Sequence, residues 1–172
     1  MPVNIIEIKA KCADVSQIRS ILLANKADFK GIDHQIDTYF KAPIGRLKLR
    51  AGNIENTLIH YNRPNQTGPK NSQVTYRRLP PNTDLKEVLA MAMGILTEVD
   101  KKRGIYFIDN VKFHLDEVKN LGTFVEIEAI DETGELGIEK LNEQCAYYMA
   151  LFAIQSTDLI DVSYSDLMME LG

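Results

Sequence analysis

Tryptophan is absent from this chain, and cysteine occurs only as Cys12 and Cys145. Two distant thiols with no CxxC or Cys/His spacing exclude a disulfide framework and a zinc site of the finger or ribbon kind. A basic surplus is missing as well. The 24 acidic and 20 basic side chains leave a net charge of -4, and phosphate-backbone affinity needs a basic surface, so no nucleic-acid partner is expected. No apolar run approaches the roughly 20 residues of a membrane span. Met1-Pro2-Val3-Asn4 carries neither a basic stretch nor an apolar one of the secretory kind. A cytoplasmic protein without a membrane partner is the expectation. At 172 residues, 45% hydrophobic and 26% charged, the chain reads as a single domain over residues 1–172, able to bury a sizeable core.

What is present is charge at alternate positions. Ile6-Glu7-Ile8-Lys9-Ala10-Lys11, Gly45-Arg46-Leu47-Lys48-Leu49-Arg50, Ile59-His60-Tyr61-Asn62-Arg63 and Val99-Asp100-Lys101-Lys102-Arg103 each repeat basic residues at a spacing of two or place one at their end. His114-Leu115-Asp116 and Phe124-Val125-Glu126-Ile127-Glu128 supply carboxylates in the same way. Successive strand side chains point to opposite faces, so Lys9 and Lys11, Lys48 and Arg50, and Lys101 and Arg103 each share a face. One such strand is ordinarily a solvated face. Six segments with the signs segregated, cationic in the middle and anionic late, suit a polyanion held together with a divalent metal. The inferred substrate is a triphosphate.

The spacing predicts strands at about 4–11, 35–40, 46–50, 57–63, 73–79, 97–102, 105–108, 111–118 and 123–130. Gly104, Asp109-Asn110 and Asn120-Leu121-Gly122 are the separators of the last four. Helices are predicted from Asp14, a candidate N-cap, to Asn25, from the Pro80–Asp84 turn to Met93 ended by Gly94, over a C-terminal stripe of Ile138, Leu141, Cys145, Tyr148, Met149 and Phe152, and over 164–171. About eight short strands joined by tight turns imply an antiparallel meander, and curling into a closed barrel removes its edges. The expected fold is therefore α+β: an eight-stranded antiparallel β-barrel, or tunnel, with a charged lumen and helices packed outside. Ile6, Ile8, Leu47, Leu49, Val125 and Ile127 would face the helices. The C-terminal stripe could be core or part of a homodimer interface, and nothing in the sequence separates the two.

Taken in order, Glu7-Ile8-Lys9-Ala10-Lys11, Asp37-Thr38-Tyr39-Phe40, Gly45-Arg46-Leu47-Lys48-Leu49-Arg50, Tyr61-Asn62-Arg63-Pro64, Gly68-Pro69-Lys70-Asn71-Ser72, Lys101-Lys102-Arg103 with Tyr106, His114-Leu115-Asp116-Glu117-Val118 and Gly122-Thr123-Phe124-Val125-Glu126-Ile127-Glu128 resemble the CYTH superfamily, within it the class IV adenylyl cyclase-like branch. The resemblance runs from about residue 4 to the end, including Ser163-Tyr164-Ser165-Asp166-Leu167. It implies a tunnel in which Lys and Arg grip a triphosphate while Glu and Asp hold magnesium or manganese. It also exposes a departure: in the superfamily's Glu-x-Glu-x-Lys signature, Glu7 and Lys9 match but Ile5 stands where the first Glu belongs.

The chemistry assigns roles. Lys9, Lys11, Lys48, Arg50, Arg63, Lys70, Lys101 and Arg103 are the candidate triphosphate-binding residues, with Arg giving bidentate contacts and Lys point charges. Glu126 and Glu128, with Glu7 nearby, are the candidate Mg²⁺ or Mn²⁺ ligands, because these hard cations take oxygen donors. Asp116 could ligate metal or accept a proton, and Lys101 and Arg103 would stabilise transition-state charge, which makes these three the catalytic candidates. His114 could shuttle protons or be a structural imidazole. Gly68-Pro69-Lys70 reads equally as a plain turn or a substrate loop. The expected activity is cyclisation of ATP to cyclic AMP and pyrophosphate. A triphosphatase acting on thiamine triphosphate, inorganic triphosphate or nucleotides is the alternative, and a non-catalytic triphosphate-binding module is a third.

Overall fold

In the computed structural model, which describes residues 3–62 and 68–172, alternation becomes a closed barrel. The strands are β1 (Val3–Lys11), β2 (Asp28–Phe40), β3 (Arg46–Ala51), β4 (Asn56–Asn62), β5 (Lys70–Arg78), β6 (Ile95–Ile108), β7 (Val111–Val118) and β8 (Gly122–Asp131). Each pairs antiparallel with its neighbours in the order β1-β5-β4-β3-β2-β6-β7-β8, and β8 returns to β1. Among the described residues every strand is paired on both sides, the outcome expected of a sheet that cannot expose an edge. Among the described residues four α-helices lie outside: α1 (Val15–Ala24), α2 (Leu85–Met93), α3 (Ile138–Leu151) and α4 (Tyr164–Glu170). None is long and apolar enough to cross a membrane.

The helix ends follow local chemistry. Asp14 caps α1 through its carboxylate, which accepts from the Gln17 amide, as the sequence suggested. α4 begins with a capping box in which Ser163 Oγ accepts from the Asp166 amide and Asp166 Oδ2 accepts from the Ser163 amide, both at 3.2 Å. Gly94 ends α2 at φ +80, a conformation glycine adopts without penalty.

Two strand expectations need correction. Gly104 does not divide β6, which runs unbroken from Ile95 to Ile108. The glycine is there for space: a Cβ would come within 3.2 Å of the Tyr106 ring and 3.5 Å of Ile32. β2 starts at Asp28, not Gln35, because the long β6 offers partners from Phe107 down to Ile95. The polar run Asp28–His34 is drawn into the sheet by that pairing, against its low intrinsic strand preference.

The core sits between the barrel's outer face and the helices. Ile6 and Ile8 of β1, Phe113 and Leu115 of β7, and Val125 and Ile127 of β8 are buried against Ile18 and Leu22 of α1 and Leu141 and Cys145 of α3, with Phe152 beyond its end. Tyr148 and Met149 pack on the same cluster, whereas Ile138, expected on the same stripe, is exposed. A smaller cluster joins Val99, Val118 and Phe124 to Tyr164 of α4. Leu47 departs from expectation: Leu49 is buried, but Leu47 is only half-buried, since the helices pack chiefly on β8, β1, β6 and β2.

Candidate functional site

The second set of alternate side chains points into the tunnel. Glu7 and Lys9 from β1, Lys48 and Arg50 from β3, Lys101 and Arg103 from β6, His114 from β7, and Glu126 and Glu128 from β8 line one cavity. Strand register explains the grouping. Glu7 lies directly across from Glu128, Lys9 and His114 flank Glu126, and Arg103 faces Asp116.

Within the lumen the charges form two knots. In one, Asp37 accepts a bidentate pair from Arg50, Nε and Nη2 each at 2.9 Å, and a third bond from Lys101 Nζ at 2.5 Å. Lys48 Nζ stands further off at 3.8 Å, over the rings of Tyr39 and Tyr61. Burial alone would raise the Asp37 carboxyl, but Arg50, Lys101 and Lys48 outweigh it and hold the group well below the usual carboxylate range. Burial pushes the Lys101 ammonium down to about 8, with Asp37 opposing and Arg103 and Arg50 adding to the fall. Lys48 is lowered by burial first and by Arg50 next.

In the second knot Asp116 accepts from Arg103 Nε and Nη2 at 2.7 Å each and from the Tyr164 hydroxyl at 2.7 Å. Arg103 Nη2 reaches Glu126 at 3.4 Å. Burial would raise Asp116 and Glu126, yet Arg103 keeps both lowered, Glu126 strongly and with help from His114 and Lys9. His114 Nδ1 lies 3.2 Å from Glu126 and 3.7 Å from Glu128. One ligand atom from each of His114, Glu126 and Glu128 falls within 4.8 Å of the others. The two carboxylates and an imidazole make a donor set that fits a small divalent cation.

The remaining candidates are distributed differently. Lys9 Nζ approaches the Val162 carbonyl at 3.4 Å and the Tyr164 ring at 4.2 Å. Lys70 is buried and donates to the Asp161 carbonyl at 2.5 Å, so the strand end after Gly68-Pro69 is tied to the segment before α4. Lys11 ends β1 in solvent and does not line the cavity, although it still pairs with Phe124 at the end of the β1–β8 seam. Arg63 lies outside the described residues.

Several lumen groups escaped the sequence reading. Asp37 was visible only as part of a motif, and its partner Arg50 is set by the β2–β3 register. Glu55 enters from the β3–β4 turn and pairs with Lys112 at 2.5 Å and Arg50 at 3.5 Å. Its position depends on Asp33, fully buried, whose carboxylate accepts from the Ile54 and Glu55 amides at 2.8 and 2.9 Å. Gly52 makes room for that carboxylate, since a Cβ there would sit 2.6 Å from it. Tyr164 and Ser163, likewise visible only as part of the C-terminal motif, come from the far end of the chain. They are held there by Arg46, which donates to Ser165 Oγ at 3.0 Å and to Asp166 at 2.8 Å.

Residues 4–157 match the family model of the CYTH domain. The fold is shared by solved structures of low identity. A protein of Pyrococcus horikoshii OT3 is 21% identical with a TM-score of 0.78, covering 97% of this chain and 99% of its own. A Vibrio parahaemolyticus protein, provisionally described as an adenylate cyclase, is 16% identical with a TM-score of 0.77 over 96% and 97%. A Hippeastrum protein, provisionally an adenylyl cyclase and described as having a dominant triphosphatase activity, is 13% identical with a TM-score of 0.60 over 95% and 91%. No curated protein matches the sequence.

Proposed function

Because the chain belongs to the CYTH domain family, we propose that it is a metal-dependent enzyme acting on a nucleoside triphosphate, by the cyclase-like reaction that yields cyclic AMP and pyrophosphate from ATP. The observation that carries this reading is the convergence of Lys48, Arg50, Lys101 and Arg103 with Glu126 and Glu128 on one cavity. Four cations match the charge of a triphosphate, and two arginines offer bidentate contacts. Glu126 and Glu128 would hold Mg²⁺ or Mn²⁺, with Glu7 across the β1–β8 seam. The bound ion would supply charge stabilisation at the phosphate oxygens.

The chain's own groups then divide the work. Asp37 keeps Arg50 and Lys101 aimed before substrate arrives, and the phosphates compete with it for the same donors. Lys48, the loosest of the three, is the first free to turn toward a ligand. Asp116 has both oxygens engaged and its carboxyl held low by Arg103. It acts as the positioning group of Arg103 and is a poor proton acceptor. In the cyclase reaction the 3′-hydroxyl oxygen bonds to the α-phosphorus, the α–β bridging oxygen leaves with pyrophosphate, and the hydroxyl proton is lost to solvent. In a triphosphatase a water oxygen attacks instead, and the Hippeastrum neighbour's activity keeps that reaction as the second reading.

The test is direct. The protein is incubated with ATP, thiamine triphosphate and inorganic triphosphate, each with Mg²⁺ or Mn²⁺, and the products are identified. Cyclic AMP with pyrophosphate is expected from ATP. Orthophosphate release with no cyclic nucleotide establishes the triphosphatase, and no product from any of the three leaves a binding module.

A further inference from the structure

The lumen is not charged all round. Val3 and Ile5 of β1, Ile59 of β4, Val74 and Tyr76 of β5, and Ile130 of β8 line the same cavity as the cations. Register brings them together. Ile5 lies across from Ile130, Val3 from Val74, and Tyr76 from Ile59. The patch borders both halves of the charged site: one lumen position further along the β1–β8 seam stand Glu7 and Glu128, and beside Ile59 on β3 stands Lys48.

A second observation marks the patch as a ligand surface. Ser72, on β5 directly across from Ile5, is 2% exposed, and its hydroxyl has no hydrogen-bond partner among the described residues. A buried hydroxyl left unpaired is costly, and one that lines a cavity is poised for an incoming polar atom. Inorganic triphosphate has no apolar surface to cover Ile5, Ile59 and Val74. A flat ring carrying hydrogen-bonding atoms at its edge has both features. Ile5 itself stands where the family signature would place a carboxylate, and the exchange substitutes apolar contact for a negative charge.

We propose that this patch seats the organic ring of an aromatic organic triphosphate, with the ring against Ile5, Ile59, Val74 and Tyr76, its polar edge at the Ser72 hydroxyl, and its phosphates reaching the neighbouring cations. The assignment rests on the triphosphate reading above. It makes Ile5 and Tyr76 residues that choose between substrates rather than residues that bind phosphate.

Binding of two ligands that cannot turn over tests it: α,β:β,γ-bis(methylene) ATP and the bis(methylene) analogue of inorganic triphosphate, measured calorimetrically with Mg²⁺. The wild type binds the nucleotide analogue more tightly. Ile5→Asn and Tyr76→Ser each weaken the nucleotide analogue by about tenfold, the scale of a lost ring contact, and leave the inorganic analogue within about twofold. Tyr76 is 36% exposed, so its variant stays folded even if Ile5→Asn does not, and thermal melts verify this. Equal affinity of the wild type for both analogues, equal losses for both in Tyr76→Ser, or no loss for either overturns the assignment. A wild type that binds neither analogue overturns the triphosphate reading, and this one with it.

Discussion

The two sides of the tunnel are built on different principles. The β7-β8-β1 side is backed by α1 and α3. There Ile6, Ile8, Phe113 and Ile127 form the core on the outer face, while Glu7, His114, Glu126 and Glu128 occupy the inner one. The β3-β4-β5 side carries Leu47, Leu58 and His60 half-buried and Asn71, Gln73, Thr75 and Arg77 exposed on its outer face. Its inner residues Lys48 and Arg50 are held by the Asp37 knot. Hydrophobic packing thus fixes the carboxylates, and ion pairs fix much of the basic wall. A metal site needs ligands within tenths of an ångström, whereas a phosphate grip tolerates side chains that swing from an internal carboxylate to a ligand.

The largest effect should come from the packed side. Glu126→Gln combined with Glu128→Gln should lower turnover by about a thousandfold or more, as loss of several kcal/mol of charge stabilisation implies. Triphosphate binding without metal should be kept or tightened. Full activity of the double variant, in the product assay described above, would remove the proposed metal site.

Arg103 ties β6 to Asp116 of β7 and Glu126 of β8, so its loss should show in stability as well as in binding. Arg103→Ala leaves Asp116 and Glu126 buried without their cation, and breaking such a pair costs about 3–5 kcal/mol. Urea unfolding should report that loss, and Arg103→Ala with Asp116→Asn should recover part of it. If the single variant melts like the wild type, the second knot does not hold the fold.

Apolar truncations should separate the sides most cleanly. Ile127→Ala, at a fully buried position, should cost about 2–5 kcal/mol as a cavity mutation. Leu47→Ala on the bare wall should cost about 1 kcal/mol. Comparable losses in chemical denaturation would mean that the thin wall is also packed.

The smallest effect is a pH dependence of the grip. Lys101 in the free protein loses its proton as the pH rises through about 8, and a bound triphosphate favours the charged form. Affinity for the inorganic analogue should therefore be flat below about pH 7 and fall above 8, by no more than about tenfold per pH unit for one proton. Lys101→Arg should move the decline to higher pH. A wild-type profile that stays flat to pH 10 would show that Asp37 keeps the ammonium charged.

Much of this was legible in the chain itself. The two-residue repeat separated Lys48, Arg50, Lys101, Arg103, Glu126 and Glu128 from Ile6, Ile8, Val125 and Ile127, because strand pleating alone sends neighbours to opposite faces. Turn residues such as Asp109-Asn110, with Asp109 at φ +52, placed the β6–β7 hairpin for an equally local reason. The same reasoning misjudged Gly104, whose cause is a ring packed against it, and Leu47, whose burial depends on whether a helix lies over β3.

What periodicity determined is which side chains share a face, a property of each strand by itself. Which of them meet is a property of register and closure. Asp37 binding Arg50 and Lys101, Asp33 supporting the turn that delivers Glu55, Tyr164 reaching Asp116 from 48 residues away and Ile5 standing between Ser72 and Ile130 were all decided by the closed barrel. Local sequence patterns carry no record of those long-range pairings; only the shared lumen brings the groups within hydrogen-bonding or packing distance.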